Sequence, residues 1–381
     1  MKKYILPVLS VCFLFIIFSP FEDSLWPKWY VFYLGLSGYG GYYLGKRYHT
    51  SLGLLFFSVL FSGSMVFANK SFYSNEHIIV QLDLAKNAAQ ATLAFLCMMT
   101  VGLVLKKSMI ELLLKSYIFV CALHCVYVLC EYFLMGKPYF ESIGFLPNIS
   151  MGPSMLGVLF PLVVWKAAIK QKAIYLYIGM LFLSVIYLHG SSMGYACFVS
   201  GVISLVFFSL WAVDKKASVA ICLVLLAVLL PLGYFIDSQW YTPHKIDRIQ
   251  FWRVFLTWWE ENVNPLFGSG TGTFRHIGPM IQNENKMQIG SWWLWAHSDW
   301  VQVLFELGWI GVVSSIYFIV TCIERAYNAA RFEILAGLVA YVVMAAGNYP
   351  LRLAEFAFLG MLLLSCAFKS RAFNDKESLF K

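Results

Sequence analysis

The chain has 381 residues, of which 60% are hydrophobic and only 13% are charged, and its mean hydropathy is +0.71. Soluble domains carry roughly 25% charged residues, so this composition excludes a soluble protein and indicates one that crosses a membrane several times. The net charge of +8 does not indicate nucleic-acid binding, because the basic residues lie in ones and twos between apolar runs.

About 12 apolar runs are long enough to cross a membrane as helices, since one crossing needs roughly 20 apolar residues. The predicted spans are 4–21, 29–45, 51–68, 87–105, 109–135, 151–169, 173–189, 192–213, 217–236, 299–323, 331–347 and 350–368. The first run is predicted to be an uncleaved span, because the sequence from Ser19 to Glu22 is a poor cleavage site for a signal peptide. The fold class is therefore predicted to be an all-α polytopic membrane protein.

The basic residues of the short loops predict the orientation of the spans. Pairs such as Lys46 with Arg47, and Lys106 with Lys107, fall on the same side of the membrane as both termini. Short loops rich in Lys and Arg stay in the cytoplasm, so both termini are predicted to be cytoplasmic and the one long loop to lie outside. The predicted parts of the chain are spans over 1–236, the long outer loop over 237–298, and the last spans with a cytoplasmic tail over 299–381.

All nine cysteines lie inside predicted spans, which indicates apolar core side chains and not a disulfide framework. Cys121, His124 and Cys125 have a spacing that presents three metal ligands on one helix face, but the sequence offers no obvious fourth ligand. The sequence therefore requires no metal ion, and no cofactor is predicted.

The charged residues of the spans gather near their outer ends. Glu306 lies about 10 Å below the outer end of its span, at 1.5 Å per residue. Glu131, Asp83, Lys86 and Arg352 lie at or near the outer ends of theirs. One interpretation is that such side chains extend toward water from helix ends. The other, which Glu306 favours, is a polar cavity open to the outside.

The long loop contains a predicted helix over 242–262, where an arginine continues an aromatic stripe. The stripe follows the helical period through Arg248, Trp252, Phe255 and Trp259. Such a helix would lie in the membrane interface, with its tryptophans at headgroup level and its guanidinium where a lipid phosphate resides. It is either an interfacial anchor or part of a phosphate-binding site.

The segment PLFGSGTGTF, from Pro265 to Phe274, has alternating glycines at 268, 270 and 272. Such a run forms either a turn or a backbone nest that binds phosphate oxygens. It is not a dinucleotide-binding fingerprint, because no strand precedes it.

The span that begins at residue 299 opens with polar side chains. Asp299 and Gln302 are spaced as a variant of the capping box, which predicts a structural role for Asp299 at the helix start. His297 lies just outside that helix, close to the water boundary, and its side chain is not needed to cap the helix. It is therefore a candidate for chemistry.

These motifs together resemble the O-antigen ligase and polymerase superfamily. The resemblance rests on PLFGSGTGTF followed by AHSDWVQVLFELGWIG, on RIQFW at Arg248, and on NYPLR from Asn348 to Arg352. The stretch LPNISMGPSMLGVLFPLVV also resembles the Pro-Asn segment of that family, so the resemblance extends from about residue 140 onward. In one respect the chain departs from its relatives, because Met193 stands where many of them have an arginine. Arg253, Arg275 or Arg352 is expected to supply the missing charge.

The resemblance implies transfer of a glycan from a polyprenyl (undecaprenyl) diphosphate to an acceptor hydroxyl, on the periplasmic face of the bacterial inner membrane. Such an enzyme must remove the hydroxyl proton and stabilise the departing diphosphate, tasks that suit a histidine and arginine forks. The predicted general base is His297. The predicted diphosphate ligands are Arg248, Arg253 and Arg352, and the residues predicted to shape the cavity are Glu306, Gly268, Gly270 and Asp299.

The acceptor stays open among the members of this superfamily. It is a lipid A core sugar for a ligase, a second lipid-linked glycan for a polymerase, or a protein Ser or Thr for an O-oligosaccharyltransferase. The single large loop late in the chain slightly favours a ligase, and the expected partners are these substrates and membrane lipid. A transporter or flippase without chemistry is the alternative of another class, but it predicts internal repeats and charges near the midplane, which the sequence does not show.

Overall fold

The computed structural model describes residues 107–138, 141, 142, 144, 151–239, 248–270, 272–285 and 295–368. The predicted spans 4–21, 29–45, 51–68 and 87–105, and both termini, lie outside the described residues. Within them the regular secondary structure is entirely helical, as the predicted all-α class requires.

The described part of the chain contains ten α-helices and one short 3-10 helix. The α-helices are α1 (Lys107–Phe133), α2 (Met151–Lys170), α3 (Ala173–Leu188), α4 (Ser192–Trp211), α5 (Lys215–Gln239), α6 (Arg248–Asn262), α7 (Phe274–Glu284), α8 (Asp299–Asn328), α9 (Phe332–Gly347) and α10 (Ala354–Phe368). The 3-10 helix, Pro350–Arg352, joins α9 to α10. Each predicted span from 109–135 to 331–347 coincides with an α-helix, whereas the last, 350–368, is divided between the 3-10 helix and α10. Helix α7 was not predicted.

Four of the described helices, α1, α2, α4 and α8, are long and apolar enough to cross a membrane. Helices α3 and α9, and the segment Phe356–Phe368 of α10, are shorter apolar helices. These features agree with a polytopic membrane protein.

Helix α2 lies at the centre of the main core, and all its residues from Met151 to Val163 are buried. It crosses α4 with the two backbones almost in contact. A Cβ atom added at Gly157 would lie 2.6 Å from the carbonyl oxygen of Gly194, and one added at Gly194 would lie 2.7 Å from the Cβ of Pro153. Small residues allow helices to approach this closely inside a membrane. The crossing fixes the start of α4 beside the start of α2.

A second, smaller core lies under the segment between α5 and α8. It is formed by Phe251, Phe255, Trp259, Val263, Phe274, Ile277, Ile281, Ala296 and Phe305. The aromatic stripe of α6 therefore packs against α7 and α8. Trp259 is only 3% exposed and its indole Nε1 donates to the carbonyl of Phe305 over 3.1 Å. The prediction that the tryptophans of this stripe lie at headgroup level is wrong for Trp259, which faces the protein.

Helix α8 is interrupted at Gly308, whose φ of +64° and ψ of −166° are not helical. The interruption leaves backbone groups without helical partners, and the segment Pro265–Gly270 pairs with them. The N–H groups of Trp309 and Ile310 donate to the carbonyls of Pro265 and Leu266, over 2.9 and 3.2 Å. In the other direction, the N–H groups of Ser269 and Gly270 donate to carbonyls of α8. The glycine-rich segment is thus an integral part of the bend in α8.

Candidate active site

His297 immediately precedes Ser298, the N-cap of α8, and its backbone is left-handed with a φ of +53°. This conformation costs a residue with a side chain roughly 1–2 kcal/mol. Hydrogen bonds on both sides hold it. The indole Nε1 of Trp252 donates to the carbonyl of Ala296 over 2.7 Å, and the N–H of Val301 donates to Oγ of Ser298 over 3.3 Å. Strain of this kind, held by its surroundings, is typical of functional sites.

The imidazole of His297 is half-buried and lies edge-on against the ring of Tyr349. The two ring centroids are 4.9 Å apart and the ring planes make an angle of 87°. Burial, and next the positive charge of Arg248, lower the pKa of His297 from 6.5 to about 4. The imidazole is therefore neutral at pH 7 and able to accept a proton.

Arg248 begins α6 and is half-buried, which lowers the pKa of its guanidinium, an effect that nearby Tyr349 opposes. Its Nη1 donates to the carbonyl of Gly347, the last residue of α9. Within the described residues, no carboxylate forms an ion pair with Arg248. A guanidinium has five N–H donors in a planar fork, so Arg248 can bind an anion without giving up an acidic partner.

Asp299 joins the start of α8 to the turn between α9 and α10. Its backbone N–H donates to the carbonyl of Asn348 over 3.0 Å, and its Oδ2 accepts from the N–H of Leu351 over 2.9 Å. The predicted capping box is wrong, because Ser298 is the N-cap and Gln302 Nε2 instead donates to Glu306 over 2.8 Å. Asp299 does have a structural role, but it holds the turn rather than the helix end.

Gly268, Ser269 and Gly270 do not form the open phosphate nest that was one of the two interpretations of their segment. The N–H of Gly268 donates to Asn264, and the N–H groups of Ser269 and Gly270 donate to the carbonyls of Phe305 and Glu306 over 2.9 and 2.8 Å. These donors are therefore already used. A Cβ atom at Gly268 would lie 2.5 Å from the backbone of Glu306, so the close approach to α8 requires glycine there.

Glu306 is 2% exposed, and its Oε1 accepts the hydrogen bond from Gln302. It lies seven residues into α8, about 10 Å along the helix from Asp299 at 1.5 Å per residue. The structure therefore places Glu306 beside the bend of α8, whereas His297 lies at the helix start, close enough to Arg248 for the guanidinium charge to lower its pKa.

The other arginines predicted at the site are placed differently from Arg248. Arg253 is exposed and, at 100° per residue, lies about 140° around α6 from Arg248. Arg275, at the start of α7, is exposed and lies over the ring of Trp295, with 5.9 Å from its Cζ to the ring centroid. The backbone of Arg352 belongs to the 3-10 helix beside Asp299, and its side chain lies outside the described residues.

Met193 packs directly on Gly347, since a Cβ atom added at that glycine would meet the Met193 side chain. The position at which the family resemblance led us to expect an arginine therefore adjoins the carbonyl that Arg248 binds. In this chain the terminal methyl group of Met193 occupies that position.

The site also contains residues that sequence reasoning did not single out, namely Trp252, Gly347 and Tyr349. Trp252 appeared in the aromatic stripe and in the motif RIQFW without a role of its own, and Tyr349 appeared only inside the motif NYPLR. The available signal was the spacing of Trp252 one helical turn after Arg248, which places both side chains on one face of α6.

The cluster of Cys121, His124 and Cys125 lies inside α1, where both cysteines are buried as free thiols. The ring of His124 packs against Gly144, where an added Cβ atom would lie 2.5 Å from its Nδ1. Among the residues that the structure describes, no three His, Cys, Asp or Glu side chains come together as a metal site.

Residues 176–316 match the family model described as O-Antigen ligase. The match extends from α3 into α8 and includes Arg248, the glycine-rich segment and His297. No curated protein matches the chain. This match supports membership of the O-antigen ligase superfamily, the family that the motifs resemble.

Proposed function

We propose that the protein transfers a glycan from a polyprenyl (undecaprenyl) diphosphate carrier to an acceptor hydroxyl, as an O-antigen ligase, on the periplasmic face of the bacterial inner membrane. The family match supports glycan transfer of the ligase or polymerase kind. The observation that carries the proposal is that the neutral imidazole of His297 lies close enough to Arg248 for the guanidinium charge to lower its pKa, while Arg248 has no carboxylate partner within the described residues.

The imidazole of His297 acts as the general base in this proposal. The acceptor oxygen attacks C1 of the first sugar of the donor, while His297 takes the proton of that hydroxyl. The bond between C1 and the diphosphate oxygen breaks, and its electron pair leaves with the polyprenyl diphosphate. The reaction needs no oxidant or reductant, because the diphosphate already activates the sugar.

Arg248 stabilises the leaving diphosphate, whose negative charge increases as the bond breaks. Guanidinium pairs with phosphate oxygens through two parallel hydrogen bonds, and the partial burial of Arg248 strengthens this interaction. Arg352 and, secondarily, Arg253 are proposed as further ligands of the diphosphate. With arginines in this role, the reaction requires no metal ion and is expected to continue in the presence of a chelator.

The remaining predicted residues support the site from a distance. Asp299 holds the turn that carries Tyr349, and Glu306 lies with Gly268 and Gly270 at the bend that shapes α8. The acceptor proposed first is a sugar of the lipid A core. A second lipid-linked glycan and a protein Ser or Thr are the acceptors that the assay must also include.

The test is a transfer assay with purified protein, a polyprenyl-diphosphate glycan and each of the three acceptors, with and without a chelator. We expect wild-type protein to transfer glycan to the lipid A core, and His297→Gln to lose at least about 100-fold of the rate, the contribution of a positioned base. His276→Gln, on α7, is the matched control and should keep the wild-type rate.

Transfer only to another acceptor would reassign the protein to the polymerase or protein-glycosylation branch. Undiminished transfer by His297→Gln would show that the base lies elsewhere. If no acceptor receives glycan from folded wild-type protein, the enzymatic proposal fails and a transporter or flippase becomes the better account.

A further inference from the structure

Tyr349 packs against His297 and lies near Arg248, the two groups to which the proposed function assigns the chemistry. Its ring stands nearly perpendicular to the imidazole of His297, with the centroids 4.9 Å apart. It also lies close enough to Arg248 to interact with the guanidinium charge. Tyr349 therefore lies beside both the base and the diphosphate ligand.

Asp299 forms hydrogen bonds with the backbone on both sides of Tyr349. Asp299 donates its N–H to Asn348, just before the tyrosine, and accepts from the N–H of Leu351, just after Pro350. The Asp299 side chain is buried at 3% exposure, so water competes little for these bonds.

A second anchor ties the same turn to the central helix of the main core. The side-chain Nδ2 of Asn348 donates to Oγ of Ser154 in α2 over 3.1 Å, and both residues are buried. The turn is thus fixed to α2, to α8 and, through Gly347 and Arg248, to α6. A side chain on such a turn is held in place more firmly than one on an ordinary loop.

His297 needs such a neighbour, because its own backbone fixes only where the side chain begins. The torsion that sets the plane of an imidazole has a broad minimum, so the ring can rotate unless something packs against it. Edge-to-face packing of aromatic rings prefers one relative orientation. The Tyr349 ring supplies that packing.

We propose that Tyr349 is a positioning residue, whose ring fixes the orientation of the His297 imidazole toward the acceptor hydroxyl while Asp299 holds the turn that presents it. This inference rests on the proposed function of His297 as the base. It assigns the role to the aromatic ring of Tyr349, and the phenolic hydroxyl is not required.

The test compares Tyr349→Phe, which keeps the ring, with Tyr349→Leu, which removes it. Misplacing a catalytic group by about 1 Å can cost about 100-fold in rate. We expect Tyr349→Leu to lower kcat by about 10- to 100-fold and to change the donor KM by less than about threefold. Tyr349→Phe should keep kcat within about threefold of wild type. Tyr317→Leu is the control, because that tyrosine is 74% exposed on α8.

A second readout needs no turnover. Diethyl pyrocarbonate modifies neutral imidazole, so the pH dependence of its reaction with His297, followed by mass spectrometry, reports the ring's surroundings. Within the part of the chain that the structure describes, the groups near the imidazole include the Arg248 guanidinium and the Tyr349 phenol. Removing the ring should admit water and move the midpoint upward toward 6.5, whereas Tyr349→Phe should leave it unchanged.

Several outcomes would overturn the proposal. Wild-type kcat in Tyr349→Leu would show that the ring positions nothing, and an equal loss in Tyr349→Phe would transfer the role to the hydroxyl. If the wild-type protein transfers no glycan, the proposed function fails, and the midpoint still decides this inference, because an unchanged midpoint in Tyr349→Leu contradicts it.

Discussion

At the residue scale, His297 combines a strained backbone with a half-buried ring and a pKa lowered to about 4. Such an imidazole is neutral at pH 7 but only weakly basic, whereas the most effective bases have a pKa near the working pH. A diphosphate bound to Arg248 would offset the positive charge that contributes to the lowered pKa. We therefore expect donor binding to raise the pKa of His297 toward its ordinary value of about 6.5.

This expectation predicts different pH profiles for kcat/KM and for kcat. Protonation of His297 removes the base, so both rates should fall as the pH falls through its pKa. Because kcat/KM reports the free enzyme and kcat the complex, the acid limb of kcat/KM should lie near pH 4 and that of kcat at higher pH. Steady-state transfer rates from about pH 3 to about pH 8 provide the measurement. Acid limbs that coincide would show that the donor does not change the environment of His297.

At the element scale, the bend of α8 depends on the pairing between Gly308 and the glycine-rich segment. A Cβ atom added at Gly308 would lie 2.4 Å from the carbonyl oxygen of Leu266 and 2.6 Å from the nitrogen of Gly268, in addition to the strain of its positive φ. Backbone atoms cannot move aside as a flexible side chain can. Any side chain at this position should therefore separate the segment from α8.

Gly308→Ala is predicted to lower the free energy of unfolding by at least about 3 kcal/mol, a large loss for a single substitution. Gly136→Ala is the matched control, because Gly136 has nearly the same φ, +66° against +64°, but nothing lies within 4 Å of its added Cβ atom. The control should lose only about 1–2 kcal/mol, the cost of left-handed backbone alone. Unfolding in detergent, followed by tryptophan fluorescence, measures both, and equal losses would mean that the close contact with the segment contributes nothing.

The elements themselves were largely predictable, but their surroundings were not. The helical period correctly grouped Arg248, Trp252, Phe255 and Trp259 on one face of α6. Apolar faces that meet lipid and apolar faces that meet protein have the same composition, so the pattern could not show that Trp259 is buried under α8. The sequence could not show what Gly308 contacts, because its partner segment is about 40 residues earlier in the chain.

At the scale of the whole molecule, the site forms where residues far apart in sequence meet. Helix α9 brings Gly347 to Met193 and Arg248, while Asp299 and Asn348 connect the start of α8 to Ser154 in α2. Motifs predicted His297 and Arg248 as candidates because both lie in recognisable local patterns. The turn that joins them follows from the packing of whole helices, which local patterns do not encode. For that reason sequence reasoning missed the role of Tyr349.

The central claim is that His297 acts as the general base and Arg248 binds the diphosphate. Measuring donor binding and turnover on the same protein tests this claim most directly. The dissociation constant of a polyprenyl-diphosphate glycan and the transfer rate would be determined on the same preparations of wild type, His297→Gln and Arg248→Lys. We predict that His297→Gln binds the donor within about threefold of wild type but loses at least about 100-fold in rate. Arg248→Lys should bind at least about tenfold more weakly, because lysine cannot form the bidentate pair. Unchanged donor affinity in Arg248→Lys, or an unchanged rate in His297→Gln, would contradict the account.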